Sequence, residues 1–301
     1  MKVLVTTSSF GKADRAPLDA LTKKCEAVLN PYGRKLTTEE FIELTEGMDG
    51  VIAGVEPITR EALDIRRNLK VISRCGVGMD SVDADACREF GIKLYNTPEA
   101  PVASVAELTV TVMLDLIKNV SNMNASIKAG KWNKMTGLMM EKKKVGIIGF
   151  GRIGQRVASI LSAFAPEIAY TDIEKKDCPY PFMEKEELLK WADIVTIHSS
   201  FCEEGKFIIG QKELELMKGS YLVNTSRGRF IDEDAVYAAL SDGRLAGAAL
   251  DVFAKEPYEG KLAELDNVIL TPHVASSAKE GRAVMEMEAV LNLFKGLGIS
   301  E

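Results

Sequence analysis

Short apolar, β-branched runs recur along the chain, alternating with stretches whose apolar residues return at helical spacing. The strand-like runs are Val3–Thr6, Gly50–Ala53, Lys70–Ser73, Lys144–Gly149, Glu167–Asp172, Ile194–His198, Tyr221–Thr225, Ala246–Asp251 and Val268–Thr271. Helical patterns lie between them at Asp14–Leu29, Asp83–Phe90, Ile153–Phe164, Glu184–Trp191 and Asp232–Leu240. Such alternation predicts an α/β protein with parallel sheets covered by helices on both faces. No short-period repeat or low-complexity segment breaks it.

A different pattern holds between Pro101 and Trp132. Val102–Ile117 is a long, strongly apolar helical stretch, a second helix is expected over Asn122–Ala129, and an irregular segment runs on to Glu141. This insert reads as the junction of two α/β units. A final helix over Ala278–Phe294 could return to the first unit. The expectation is a discontinuous domain, 1–96 plus 276–301, around a continuous one, 97–275.

Composition narrows the class. The 301 residues are 46% hydrophobic and 27% charged, as in ordinary globular proteins. A net charge of −6 and a pI near 5.3 argue against nucleic acid or an anionic membrane as the main partner. The run Lys142-Lys143-Lys144 precedes an apolar strand and reads as a solvated strand entry. Five scattered cysteines without CxxC spacing, and only two histidines, speak against a structural metal site or a disulfide framework. A cytoplasmic location is expected, since the N-terminus lacks a signal peptide's apolar core and no stretch is long enough for a membrane span.

The strongest motif is Gly149-Phe-Gly151-Arg-Ile-Gly154, which follows an apolar strand and opens a helical pattern. That context turns a weak G-x-G-x-x-G spacing into a dinucleotide site. Gly149 allows the tight turn, Gly151 lets backbone approach a pyrophosphate, and Gly154 lets helix and strand pack closely. Asp172 ends the next strand, where a carboxylate accepts from ribose hydroxyls and repels a 2′-phosphate. NAD is therefore expected over NADP, although Lys175 and Lys176 follow closely. The fold class expected is two Rossmann-like, doubly wound parallel-sheet domains, with the cofactor on 97–275.

Three later segments place titratable groups at strand ends: Arg227 after Leu222–Ser226, Asp251 and Glu256 after Ala248–Leu250, and His273 after Val268–Pro272. Carboxyl ends of parallel strands are where such sheets bind ligands. His198 also ends a strand, so either histidine could carry a proton.

These residues, with Arg74-Cys-Gly-Val-Gly-Met-Asp-Ser-Val-Asp83, Asn96-Thr-Pro98, Val105-Ala-Glu-Leu-Thr109 and Ala129-Gly-Lys-Trp132, resemble the D-isomer-specific 2-hydroxyacid dehydrogenases, phosphoglycerate dehydrogenase-like branch. The resemblance spans nearly the whole chain. It implies hydride transfer between NAD(H) and C2 of a small D-2-hydroxy acid or 2-oxo acid. It implies catalytic roles for Arg227, Glu256 and His273, with no metal. Arginine's planar fork can hold the substrate carboxylate and polarise the C2 oxygen. His273 would exchange the C2 hydroxyl proton, and Glu256 would fix its tautomer and support positive charge on the ring. Asp251 would contact the nicotinamide carboxamide. Val77 and Gly78 would hold the substrate carboxylate, Val77 also facing the cofactor, and Arg152, Ile153, Ser199 and Thr225 would line it. His198 corresponds to a position beside the cofactor that is not the acid/base.

The chain also departs from the family pattern. Ser199-Ser200-Phe201-Cys202 replaces a usual proline and apolar residue, and Ser81 stands where asparagine is common. Gly54-Val-Glu56-Pro57 lacks the arginine that phosphoglycerate dehydrogenases use for the phosphate, although Arg74 could serve a phosphate or second carboxylate. Ending soon after the last helix, the chain is expected to lack a C-terminal regulatory domain. Glu256 argues against a formate dehydrogenase-like reading. An NAD-sensing, corepressor-like binding protein with secondary turnover is the alternative from another class. A homodimer through the Val102–Ile117 region is expected, as are domains that close over the substrate about hinges near Asn96–Pro98 and Ala275–Ser277.

Overall fold

The strand–helix alternation folds into two all-parallel sheets, one in each of two units, Met1–Pro101 with Ser276–Glu301 and Val102–Ala275. The computed structural model describes all residues except Phe201, Glu204 and Glu301.

The first unit runs β1 (Lys2–Val5), α1 (Ala16–Lys24), β2 (Glu26–Leu29), α2 (Thr38–Leu44), β3 (Gly50–Ala53), α3 (Arg60–Ile65), β4 (Val71–Arg74), α4 (Ala84–Glu89) and β5 (Lys93–Tyr95). Its strand order is β2-β1-β3-β4-β5. Strands this short make few ladder bonds, each with a net worth of about 1 kcal/mol. Burial counts for more, at about 1.5–3 kcal/mol per fully buried Val, Leu or Ile. Val3, Val5, Ile52 and Val71 pack on one face with Ala289, Val290, Leu293 and Phe294 of α11 (Lys279–Leu297), the final helix. Leu4, Val51, Ala53 and Ile72 pack on the other with Phe41, Leu63 and Ala86.

One expected element divides. The helical pattern Asp14–Leu29 becomes α1 followed by the strand β2, because Cys25 takes extended backbone (φ −135°, ψ 150°). Glu26–Leu29 then pairs in parallel with Lys2–Val5. A short apolar run continues a helical period and a strand equally well, so only pairing decides. The short strand β5 and helices α2 and α3 likewise carry too few apolar residues to stand out in the pattern.

The second unit begins with α5 (Val102–Lys118) and α6 (Val120–Lys128), then β6 (Lys144–Ile148), α7 (Arg152–Leu161), β7 (Glu167–Thr171), α8 (Lys185–Trp191) and β8 (Ile194–Ile197). It ends with α9 (Gln211–Leu214), β9 (Ser220–Asn224), α10 (Glu233–Ser241), β10 (Leu245–Leu250) and β11 (Val268–Leu270). Its order is β11-β10-β9-β8-β6-β7. Val110, Met113 and Ile117 of α5 pack with Val157 and Leu161 of α7 over Val145, Ile147 and Val223 of the sheet. Much of α5's apolar surface is thus used inside its own unit. No helix among the described residues is long and apolar enough to cross a membrane.

Candidate active site

Each sheet has one place where the chain departs to both sides, between β1 and β3 in the first unit and between β6 and β8 in the second. Ligands of open parallel sheets collect outside the carboxyl ends at such points. The glycine motif lies at the second of these. Gly149 sits at φ +89°, and a Cβ there would fall 2.6 Å from the carbonyl carbon of His198 and the nitrogen of Ser199. A Cβ on Gly154 would stand 2.3 Å from the Gly149 carbonyl oxygen, so helix and turn close on each other only without it. Gly151 differs: nothing lies within 4 Å of where its Cβ would be.

Gly151 is the N-cap of α7, and no side chain caps that helix. Its first N–H groups and its partial positive charge therefore remain for an anion, with Arg152 and Ile153 in the first turn. Asp172 follows β7, and its Oδ2 accepts the Phe150 backbone N–H at 2.6 Å. This bond ties the Asp172 carboxylate to the glycine turn and leaves Oδ1 out of it. The open cradle at Gly151, the uncapped helix and the tethered carboxylate fit a dinucleotide.

His198 follows β8, with Nε2 2.9 Å from Thr196 Oγ1. The residue keeps some accessible surface, but its ring is enclosed by protein, and desolvation pushes the imidazole down to about 3. A ring held neutral throughout the neutral range makes a poor proton carrier at neutral pH.

Arg227, Asp251, Glu256 and His273 lie in the loops after the adjacent strands β9, β10 and β11. His273 is half-exposed, and its Nδ1 lies 2.8 Å from Glu256 Oε2. A carboxylate can only accept there, so Nδ1 carries the hydrogen and Nε2 is left for chemistry. Glu256 is itself held by the Phe253 N–H on Oε1 at 3.1 Å. His273 adopts φ +54°, a left-handed backbone that costs a non-glycine residue about 1–2 kcal/mol.

What holds that loop is Asp251, which is 1% exposed. Its Oδ1 accepts from Thr271 Oγ1 at 2.6 Å and Val274 N–H at 2.9 Å, and its Oδ2 accepts from Ala275 N–H at 2.9 Å. The three donors flank His273 on both sides. Arg227 extends from the β9 loop and donates through Nη1 to Ser226 O at 2.7 Å. Its neighbour Gly228 packs so tightly that a Cβ would fall 1.9 Å from the Phe253 carbonyl carbon, which brings the arginine loop against the glutamate loop.

Some supporting residues escape a reading of the sequence. Asn224 is fully buried; its Nδ2 donates to Arg227 O at 2.9 Å, and its Oδ1 accepts from Ser226 N–H and Oγ. The one available signal is a polar residue closing an apolar run. Thr225 Oγ1 pairs with Thr109 Oγ1 at 2.8 Å, fastening the same loop to α5. Ser199 follows His198 against the glycine turn. In the first unit, Val77 and Gly78 lie in the turn after β4, where Asn96 Nδ2 donates to Val77 O at 2.8 Å and Gly76 N–H to Thr97 Oγ1 at 2.7 Å.

Known proteins resemble this chain over most of its length. The family model described as "D-isomer specific 2-hydroxyacid dehydrogenase, NAD binding domain" matches residues 110–275. A hydroxypyruvate reductase of Thermotoga maritima is 36% identical over 274 residues, 88% of this chain and 90% of that protein. A D-3-phosphoglycerate dehydrogenase of Methanocaldococcus jannaschii is 38% identical over 266 residues, 82% of this chain but 49% of its own length. A crystal structure of a Thermus thermophilus protein superposes with a TM-score of 0.92 at 37% identity, covering 99% of this chain and 97% of that one. With its glycine turn and its strand-end arginine, glutamate and histidine, the chain belongs to the D-isomer-specific 2-hydroxyacid dehydrogenase family.

Proposed function

We propose that the protein is an NAD(H)-dependent reductase of a small 2-oxo acid to the D-2-hydroxy acid, working reversibly. The observation that carries this reading is the His273–Glu256 pair at 2.8 Å, one loop away from Arg227, on the sheet that holds the glycine turn. NAD(H), when bound, would supply or accept the hydride at C2. His273 Nε2 donates the proton that the C2 oxygen takes up, and Glu256 keeps the hydrogen on Nδ1 so that Nε2 presents the right face. Arg227 holds the substrate carboxylate and draws electron density from the carbonyl. Asp251 positions the histidine loop. Gly149, Gly151, Arg152, Ile153, Gly154, Asp172, Ser199 and Thr225 hold the cofactor, on the 102–275 unit. The first unit is the substrate-side domain, with Val77 and Gly78 supplying backbone to the substrate carboxylate.

NADH oxidation in the presence of 2-oxo acids tests the reading. Because Asp172 repels a 2′-phosphate, kcat/KM is expected to be about tenfold or more higher with NADH than with NADPH, and Asp172→Ala to erode the preference. Equal values for the two cofactors would sink the assignment.

A homodimer is the proposed assembly. Val120, Ile127, Trp132 and Met139 are large, apolar and exposed, Trp132 at 78%, and they cluster in sequence after α5. Such a concentration suits an interface between copies. Light scattering at micromolar concentration should give twice the 32.9 kDa chain mass, and a stable monomer would refute it. With all five cysteines free, a reducing cytoplasm is the proposed compartment.

A further inference from the structure

The loop after β10 that carries Glu256 is closed by two aromatic rings. Phe253 and Tyr258 stack with centroids 4.3 Å apart and planes 26° from parallel. Glu256 lies between them in the chain, so the stack closes the loop at its base and leaves the glutamate near the tip. The Phe253 side is firmly set. Its ring is buried in the apolar cluster that holds Leu250 and Leu262, and the neighbouring Ala254 N–H donates to Glu233 Oε1 of α10 at 2.6 Å. The return side rests on Tyr258. Its ring packs against the same cluster, and its Oη accepts the N–H of Leu262, a residue 1% exposed, at 3.1 Å. A Cβ on Gly260 would fall 2.3 Å from that oxygen, so the phenol keeps its seat only because residue 260 has no side chain.

Glu256 has no such seat of its own. Its side chain is 37% exposed, Oε1 accepts the Phe253 N–H and Oε2 meets His273 Nδ1. Burial therefore does not aim this carboxylate; the backbone that carries it does. Resting on the function proposed above, we infer that Tyr258 is a positioning residue for the Glu256–His273 pair. Clipped to Phe253 and tethered to Leu262, its ring fixes the course of the loop and so the place where Oε2 meets Nδ1. An aromatic stack suits that task, because stacked rings constrain both distance and plane. The 2.8 Å contact tolerates little drift, since hydrogen bonds weaken steeply with misalignment. Without the clip Glu256 turns to water, and the ring loses what keeps its hydrogen on Nδ1.

Nitrogen NMR of isotope-labelled histidine reads the pair without substrate or cofactor, and the chain has only two histidines to assign. At about pH 9, where an imidazole is neutral, His273 is expected to carry its hydrogen on Nδ1, and Tyr258→Leu to return the ring to a mixture of tautomers. Tyr258→Phe keeps the stack and should keep the tautomer. A wild-type ring with its hydrogen on Nε2, or an unchanged tautomer in Tyr258→Leu, overturns the positioning role. A double-mutant cycle on the single-turnover rate of NADH oxidation with glyoxylate gives the second reading. Tyr258→Leu should slow that step about tenfold in the wild-type background and by less than about twofold in Glu256→Ala, where nothing is left to position. A residue that only stabilised the loop would slow both backgrounds alike, and that result also overturns the proposal. If Tyr258→Leu does not fold, Gly260→Ala, whose methyl pushes the phenol off Leu262, takes its place in both measurements. If no 2-oxo acid oxidises NADH, the proposed function falls, and the tautomer alone decides the role of Tyr258.

Discussion

Replacing His273 by alanine is expected to lower kcat by a factor on the order of 10²–10⁴, the range for a lost general acid or base. The ring sits half-exposed after β11, with Nδ1 engaged by Glu256 and Nε2 outside that bond. The NADH dissociation constant, read by fluorescence, should change little, since the side chain is assigned to proton transfer and not to the dinucleotide. His198→Asn is the control. Its imidazole is already held near 3 by desolvation, so no limb of the pH–rate profile between about pH 5 and 9 should vanish with it. A His198 variant that loses that limb while His273→Ala stays active would reverse the assignment.

Asp251→Ala should damage both stability and rate. The substitution strands the Thr271 hydroxyl and the Val274 and Ala275 N–H groups, of which the Ala275 N–H is buried, at a summed cost of about 3 kcal/mol. A loss of about 3 kcal/mol or more corresponds to a fall in Tm of roughly 6–12 °C for a unit of this size. The loop also loses what holds His273 at φ +54°, and a displacement of even about 1 Å from productive geometry can cost on the order of 10²-fold in rate. Comparison of kcat with NADH affinity separates two roles for the residue. If Asp251 acts by positioning, kcat falls and NADH affinity holds. If it acts through the nicotinamide carboxamide, the NADH dissociation constant rises while kcat at saturation survives.

Much of the chemistry is legible in the chain because it rests on local patterns. A glycine turn between an apolar strand and a helix needs three positions in one short segment, and Asp172 lies one strand later. Arg227, Asp251, Glu256 and His273 can be placed at strand ends because apolar runs stop just before them. Weaker elements are less legible. Ala27, Val28 and Leu29 prolong a helical period as readily as they begin an edge strand, and the backbone at Cys25 decides between the two. Most of α5's apolar residues read as excess surface in the sequence, yet the sheet and α7 cover them.

Sequence alone therefore determined the α/β class, the glycine turn between β6 and α7 and the placing of Arg227, Asp251, Glu256 and His273 after strands, because period, spacing and strand ends are properties of neighbouring residues. Tertiary structure decided what those residues do to one another. Asp251 and His273 are separated by a strand, and the bonds joining their loops depend on where β10 and β11 end in the same sheet. Glu56 reads in the sequence as one acid in a turn. It is a buried bridge between Thr6 and Gly54 only because β1 and β3 pair side by side, although α1, β2 and α2 all intervene between them in the chain. Long-range pairing of this kind leaves no periodic trace in the chain, since its register is set by packing between segments and not within them.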